Sequence, residues 1–244
     1  MRSFIACMLS LSCFSSIAQS PLTPGENIFE KKWIRNEHYQ MTWYAMKDTT
    51  RFEMGKINTE QIVDDKQCLM ITRVQMKNAK GPWIDSTIAD IRTMSPIYHS
   101  SFNMQRDMVL HFGTIVTGYY EDKIKKTSTL IRDTTHESYF DSNLYPSLLR
   151  WLPLSEGYKR EMLIYDYNPA GKIGVIKANV KSVSSGSYQS TTAGKRDVWI
   201  LVVSDELGAG NSFSTYYIDK TDRSLWKQEI NSGGRIMIIE RDKP

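Results

Sequence analysis

The sequence predicts a mainly β protein: a strongly curved antiparallel sheet with one short helix packed on its concave face. Three observations carry that reading. From Asn27 onward the chain alternates polar and apolar residues and is enriched in aromatic and β-branched side chains, the pattern of half-buried strands. Turn residues recur roughly every ten positions, a spacing typical of antiparallel β proteins. One stretch, NLYPSLLRWLPL at 143–154, departs from the alternation with helical spacing and prolines.

The first residues read as a leader. Arg2 is the one charge before an uncharged, mostly apolar run that ends in Ser16-Ile17-Ala18, a small-x-small signature of signal-peptidase cleavage. The run is shorter than the roughly 20 apolar residues needed to span a bilayer. Residues 1–18 are therefore expected to be a signal peptide, leaving 19–244 as a single β-rich domain with no transmembrane segment, released to the periplasm or otherwise secreted. Ser10-Leu11-Ser12 before Cys13 lacks the leucine of a lipid-attachment site, which favours free release. Cleavage removes Cys7 and Cys13 and leaves Cys68 alone, so no internal disulfide is expected. A lone cysteine in the strand-like CLMITRVQM reads as a small buried hydrophobe.

The early strands are expected at 38–46, 67–76 and 85–94, with turns at 64–66 and 78–82. A hairpin follows from 108–121 and 128–136, with Gly113 marking a bulge or sharp bend. The carboxy-terminal half reads as a six-strand meander at 160–241, with strands at 160–168, 172–183, 195–206, 212–219, 224–231 and 235–241. The stretch 182–195 is rich in Ser, Thr and Gly, and its middle is expected to be an exposed hairpin tip. DVWILVVS is apolar on both alternating faces, so its strand should be covered on both sides.

The 143–154 segment supplies one cover. Asn143 suits an N-cap, Pro146 is tolerated in the first turn, and Pro153 ends the run. Leu144, Leu148 and Trp151 or Leu152 then share one side, with Ser147 opposite. An apolar stripe of this kind needs a partner, and in a chain of strands the partner is the hollow of a curved sheet.

Asp141, Leu148-Leu149-Arg150, Pro153-Leu154 and Gly157, followed later by Tyr217-Ile218-Asp219 and Trp226-Lys227-Gln228-Glu229, resemble the secreted bacterial family catalogued as domain of unknown function 3108. The resemblance is best over residues 139–231. More distantly, the chain is similar to periplasmic lipoprotein carriers and their outer-membrane receptor. The resemblance implies an unclosed β-barrel wrapped around a helical lid or plug, and by the carrier analogy an apolar cavity for acyl chains. It brings no catalytic residues with it.

The residue chemistry points away from several classes. His38, His99, His111 and His136 are scattered without ligand spacing, so no metal and no other cofactor is expected. Gly208-Ala209-Gly210-Asn211 lies between two strands, where no helix follows to hold a phosphate, and reads as a hairpin turn. No G-x-S-x-G elbow is present. Asp85, Asp90, Asp133, Asp141 and Asp205 could converge as an acid–base pair only if the fold brought them together. The net charge of +4 is spread out, and Lys123, Lys125, Lys126 and Arg132 are interleaved with Glu121, Asp122 and Asp133. No field for a phosphate backbone results, so no nucleic-acid partner is expected.

Six tryptophans and thirteen tyrosines remain. They serve either core packing and cross-strand pairing or a ligand-lined hollow. The first reading of function is a non-catalytic envelope protein that binds or carries an apolar or amphipathic ligand such as a lipid. Tyr145, Leu148, Trp151 and Leu152 would line the helix side, with Trp199, Leu201 and Tyr216 or Tyr217 on the sheet. The alternative is a structural or interaction protein with a filled interior that contacts envelope proteins through its surface. An enzyme acting on glycans or peptides comes third.

Overall fold

The computed structural model describes residues 20–207 and 212–242. The expected leader and the Gly208–Asn211 turn lie outside them. After a 3₁₀ turn at Lys31–Trp33 come β1 (Glu37–Lys47), β2 (Thr50–Val63), β3 (Gln67–Met76), β4 (Trp83–Asp90) and β5 (Pro96–Phe102). Next are β6 (Arg106–His111), β7 (Ile115–Asp122), β8 (Thr127–Thr134) and the two-residue β9 (Phe140–Asp141). The helix α1 (Tyr145–Trp151) leads into β10 (Arg160–Tyr167), β11 (Ile173–Ser190), β12 (Gly194–Asp205), β13 (Ser212–Asp219), β14 (Leu225–Ser232) and β15 (Arg235–Arg241).

The fifteen strands of the described residues belong to one sheet, in which β1 pairs with β15 at the centre and the edges, β8 and β9, come from the middle of the chain. The central seam runs antiparallel from Met41 opposite Arg241 to Ala45 opposite Met237. The two edges do not close on each other. Instead the sheet winds past itself, and the two faces of β10 show how. Met162 and Ile164 point into the main core with α1, whereas Leu163, Tyr165 and Tyr167 pack in a second core against Met108 and Leu110 of β6, Val116 of β7 and Ile131 of β8. The β6–β8 end thus lies over the outer face of β10. Tyr165 Oη also donates to Asp133 Oδ2 at 3.1 Å. Burying this part of the sheet under a second layer protects a region near an edge that would otherwise invite pairing.

The expected mainly β, unclosed architecture with a short helix is what the chain adopts, and the 160–241 meander is present as β10–β15. Several local expectations need correction. The apolar alternation marks no strand at β2 or β5. Both turn Thr59, Gln61, His99 and Ser101 inward, where they are buried, and a polar inner face erases the apolar alternation that marks a strand. The 108–121 stretch is two strands with a reversal at 112–114. The 182–195 stretch is mostly strand, because β11 stays in register with β12 as far as Ser190 opposite Gly194. The exposed tip is only Thr191–Ala193.

The helix also differs in detail. Leu144 occupies the N-cap position in a helical conformation without a side-chain cap. Asn143 instead donates from Nδ2 to Thr87 Oγ1 at 2.9 Å, tying the helix start to β4. Ser147, expected on an open side, is buried and bonded to Met70 Sδ at 3.3 Å. The reason is geometric: the sheet curls around the whole helix, which therefore has no solvent face.

A cavity at the open end of the sheet

Cross-strand register decides which side chains meet inside the curve. Thr59, Thr72, Asp85 and Ser101 stand opposite one another on successive strands β2–β5. Thr87 is likewise opposite His99. Because side chains alternate faces with a period of two, both rows point inward with the core residues Met70 and Ala89. Sequence alternation could not reveal this polar strip.

The strip is bonded through the segment that enters the helix. His99 Nδ1 lies 2.9 Å from Asp141 Oδ1 and 3.1 Å from Oδ2. Thr87 Oγ1 donates to Asp141 Oδ2 at 2.6 Å, and the Asn143 backbone N–H donates to Oδ1 at 3.2 Å. Ser142 Oγ donates to Asp166 Oδ1 at 2.7 Å. Burial alone pulls the His99 pKa down, but the charge and hydrogen bond of Asp141, with Asp85 and Asp166 nearby, outweigh it and raise the net value. Burial raises the pKa of Asp85, against the hydrogen bonds of Ser101 and Trp83. It raises that of Asp166 as well, against the hydrogen bond of Ser142.

Above this strip, towards the end that carries the β3–β4, β5–β6, β7–β8 and β10–β11 turns, lies a cavity of about 630 Å³. Its wall is mainly apolar. Trp43 of β1, Met76 of β3, Trp83 of β4 and Tyr120 of β7 line it from the strands, and Met104 and Ile124 from the turns. Arg106 links cavity and strip: its guanidinium lies 5.8 Å from the Trp83 ring centroid, and Nη2 donates to Ser101 Oγ at 3.2 Å. Trp83 Nε1 donates to Asp85 Oδ1 at 2.7 Å and to Ser101 Oγ at 3.1 Å. Trp43 Nε1 and Arg106 Nε are buried without a hydrogen-bond partner among the described residues, two donors facing the same hollow. An apolar chamber with a few convergent polar groups is the usual form of a small-molecule site.

The residues singled out from sequence lie elsewhere. Tyr145, Leu148, Trp151, Leu152, Leu201 and Tyr216 are brought together, each with at most 2% of its surface exposed, in the main core. Trp199 packs against that core while half-buried, with Lys220 Nζ 4.2 Å above its ring. Tyr217 alternates to the outer face, where its ring packs tilted against Tyr188 at 5.8 Å between centroids. None of the eight lines the 630 Å³ cavity. Of the aspartates considered as a convergent set, the fold brings Asp85 and Asp141 near His99, adds Asp166, and leaves Asp90 capping the β4–β5 turn through the Thr93 backbone N–H at 2.9 Å. Trp43 and Trp83 were visible only as members of an aromatic-rich composition, and Arg106 carried no sequence signal.

The residues of the family resemblance hold the frame. Asp141 anchors His99, Arg150 binds Glu37, and Asp219 accepts from Arg196 Nε at 2.8 Å and Trp226 Nε1 at 2.9 Å. Gly157 adopts a φ of 74°, which favours glycine.

A family model described as a protein of unknown function, DUF3108, matches residues 38–240, from the start of β1 to the end of β15. The chain is also similar to a solved β-barrel-like protein of domain of unknown function DUF1849 from Brucella abortus. The TM-score is 0.54 at 9% identity, covering 86% of this chain and 98% of that one, a likeness of fold alone. No curated protein matches the chain. Among the described residues no helix is long and apolar enough to cross a membrane. With its model spanning both halves of the sheet, the helix and the cavity, this chain belongs to DUF3108, a family of proteins of unknown function.

Proposed function

We propose that this protein binds or carries an amphipathic small molecule, such as a lipid with an acidic or hydrogen-bond-accepting head, in the open-end cavity. The observation that carries the proposal is the pairing of an apolar wall with the Arg106 guanidinium at its floor. The apolar part of the ligand lies among Met76, Met104, Tyr120 and Ile124. Its head accepts from Arg106 Nε and Trp43 Nε1, donors that have no partner among the described residues. The leader expected at 1–18 supports a place in the bacterial envelope, and amino-terminal sequencing of the exported protein should begin at Gln19.

The test combines mass spectrometry of organic extracts from the native protein with titration of a long-chain fatty acid, read by tryptophan fluorescence. Binding should quench or shift emission and should fall at least about tenfold in Arg106→Ala, the loss of roughly one charge-assisted hydrogen bond. An empty extract together with a flat titration would reject the reading.

The interaction reading rests on a separate feature, the edge strand β8, which among the described residues pairs only with β7 and exposes 87% of Leu130. An exposed edge strand can accept a partner's strand. A discrete complex in envelope extracts that Leu130→Lys abolishes would favour it.

A further inference from the structure

We infer that the open end is a docking surface for an anionic membrane, which would let the cavity exchange its ligand directly with lipid. The membrane contact goes beyond the proposed ligand site, and it stands on surface charge and apolar exposure rather than on the cavity's contents.

Along the sequence the basic residues are diluted by acidic ones, but the fold gathers four turns around the cavity mouth. Residues 77–82, 103–105, 122–126 and 168–172 carry six basic side chains and one acidic, a local charge of +5 without the cavity's own Arg106, while the whole chain totals +4. Some of this charge is neutralised: Lys123 pairs with Asp107 at 2.6 Å, Lys125 with Asp122 at 3.5 Å and Lys172 with Glu206 at 2.7 Å. Lys77, Lys80 and Lys126 are exposed and make no ion pair among the described residues. They surround the cavity mouth without lining it.

Two large apolar side chains project from the same turns: Ile124 is 71% exposed and Met104 53%. Lysines around protruding apolar tips match the chemistry of an anionic bilayer surface, where the charges meet lipid phosphates and the tips enter the headgroup boundary. An acidic protein would be attracted by the lysines, but it would leave the apolar tips without a reason. The opposite end, reached by the alternate turns of the same meander, carries Lys66, Arg92 and Lys195 and serves as the internal control.

The experiment is vesicle co-sedimentation of the full mature chain. It compares phosphatidylcholine vesicles with phosphatidylcholine–phosphatidylglycerol mixtures, at low salt and at roughly 1 M salt, where the screening length falls to about 3 Å. Binding is expected only to the anionic vesicles and should weaken in salt. Lys77→Glu, Lys80→Glu and Lys126→Glu combined should lower it by at least about tenfold, while Lys66→Glu, Arg92→Glu and Lys195→Glu combined should retain it. Circular dichroism confirms that both triple variants fold. Equal binding by the two triple variants, equal binding to neutral vesicles, or no binding to anionic vesicles overturns the inference. Arg106→Ala separates the two proposals: it should lose the fatty acid yet sediment with anionic vesicles like the parent.

Discussion

Arg150 on the helix and Glu37 at the start of β1 meet at 2.6 Å although 113 positions separate them. Arg241 Nη2 reaches the other oxygen of the same carboxylate at 2.9 Å, and Arg150 Nε donates to the Arg223 carbonyl at 2.7 Å. The helix, the first strand and the last strand are thereby fastened at one buried point. Burial alone would raise the Glu37 pKa, but the two guanidinium groups outweigh it and hold the carboxyl below its usual range.

Removing that carboxylate leaves two buried cations facing each other. Glu37→Gln should therefore lower stability by about 3–5 kcal/mol, the usual loss on breaking a buried ion pair. Urea denaturation measures it. A change within about 0.5 kcal/mol, the range of ordinary surface substitutions, would mean that the charges are solvated.

Packing around the helix makes a second forecast. Leu148 and Trp151 are fully buried. Leu148→Ala should cost about 2–5 kcal/mol and Trp151→Ala about 3–5 kcal/mol. Neither should change the amount of ligand that the open-end cavity retains, because neither lines it. Ligand loss from Trp151→Ala at unchanged melting temperature would restore the helix as a movable lid.

The polar strip predicts the slope of stability with pH. The His99 pKa is raised in the fold above its ordinary 6.5. The native state therefore binds that proton more tightly, and the stabilisation is fully present below the unfolded value and lost as pH rises through the folded one. Asp85 and Asp166, raised from 3.8, act in the same direction from a lower pH. Glu37, with its lowered value, acts in the opposite direction, losing its contribution as acid is added. Melting temperature should fall from about pH 6 to pH 9, and His99→Gln should flatten that fall. An unchanged slope in the variant would assign the effect to other groups.

Cys68 is fully buried, and burial pushes its thiol pKa up to about 12. The native protein should resist alkylation by iodoacetamide and react once unfolded, since the thiolate is the nucleophile. Cys68→Ala should fold with a loss on the order of 1 kcal/mol. Rapid labelling of the folded chain would contradict this placement.

The local pattern of residues 160–241 determined the six-strand meander, because those strands either alternate apolar and polar residues or, as in DVWILVVS, run apolar on both faces between turn residues. The helix at 145–151 was legible for the same reason: LYPSLLRWL has one spacing and prolines bound it. The burial of its apolar stripe followed from the sequence too, since in a chain of strands only the sheet can cover it, whereas the burial of Ser147 did not. The local pattern did not determine what the sheet does with its interior. Thr59, Asp85, His99 and Ser101 look like outward-facing polar residues until register places them inside. For the same reason β2 and β5 were invisible. The cavity is further from any local signal, since Trp43, Trp83, Arg106 and Tyr120 come from four strands and meet only because the sheet curls past itself. Curvature sums small twists over fifteen strands, and pairing β1 with β15 closes the loop between chain ends. Residues 37 and 150, or 43 and 106, become neighbours through that winding, a property of the whole sheet that no window of sequence contains.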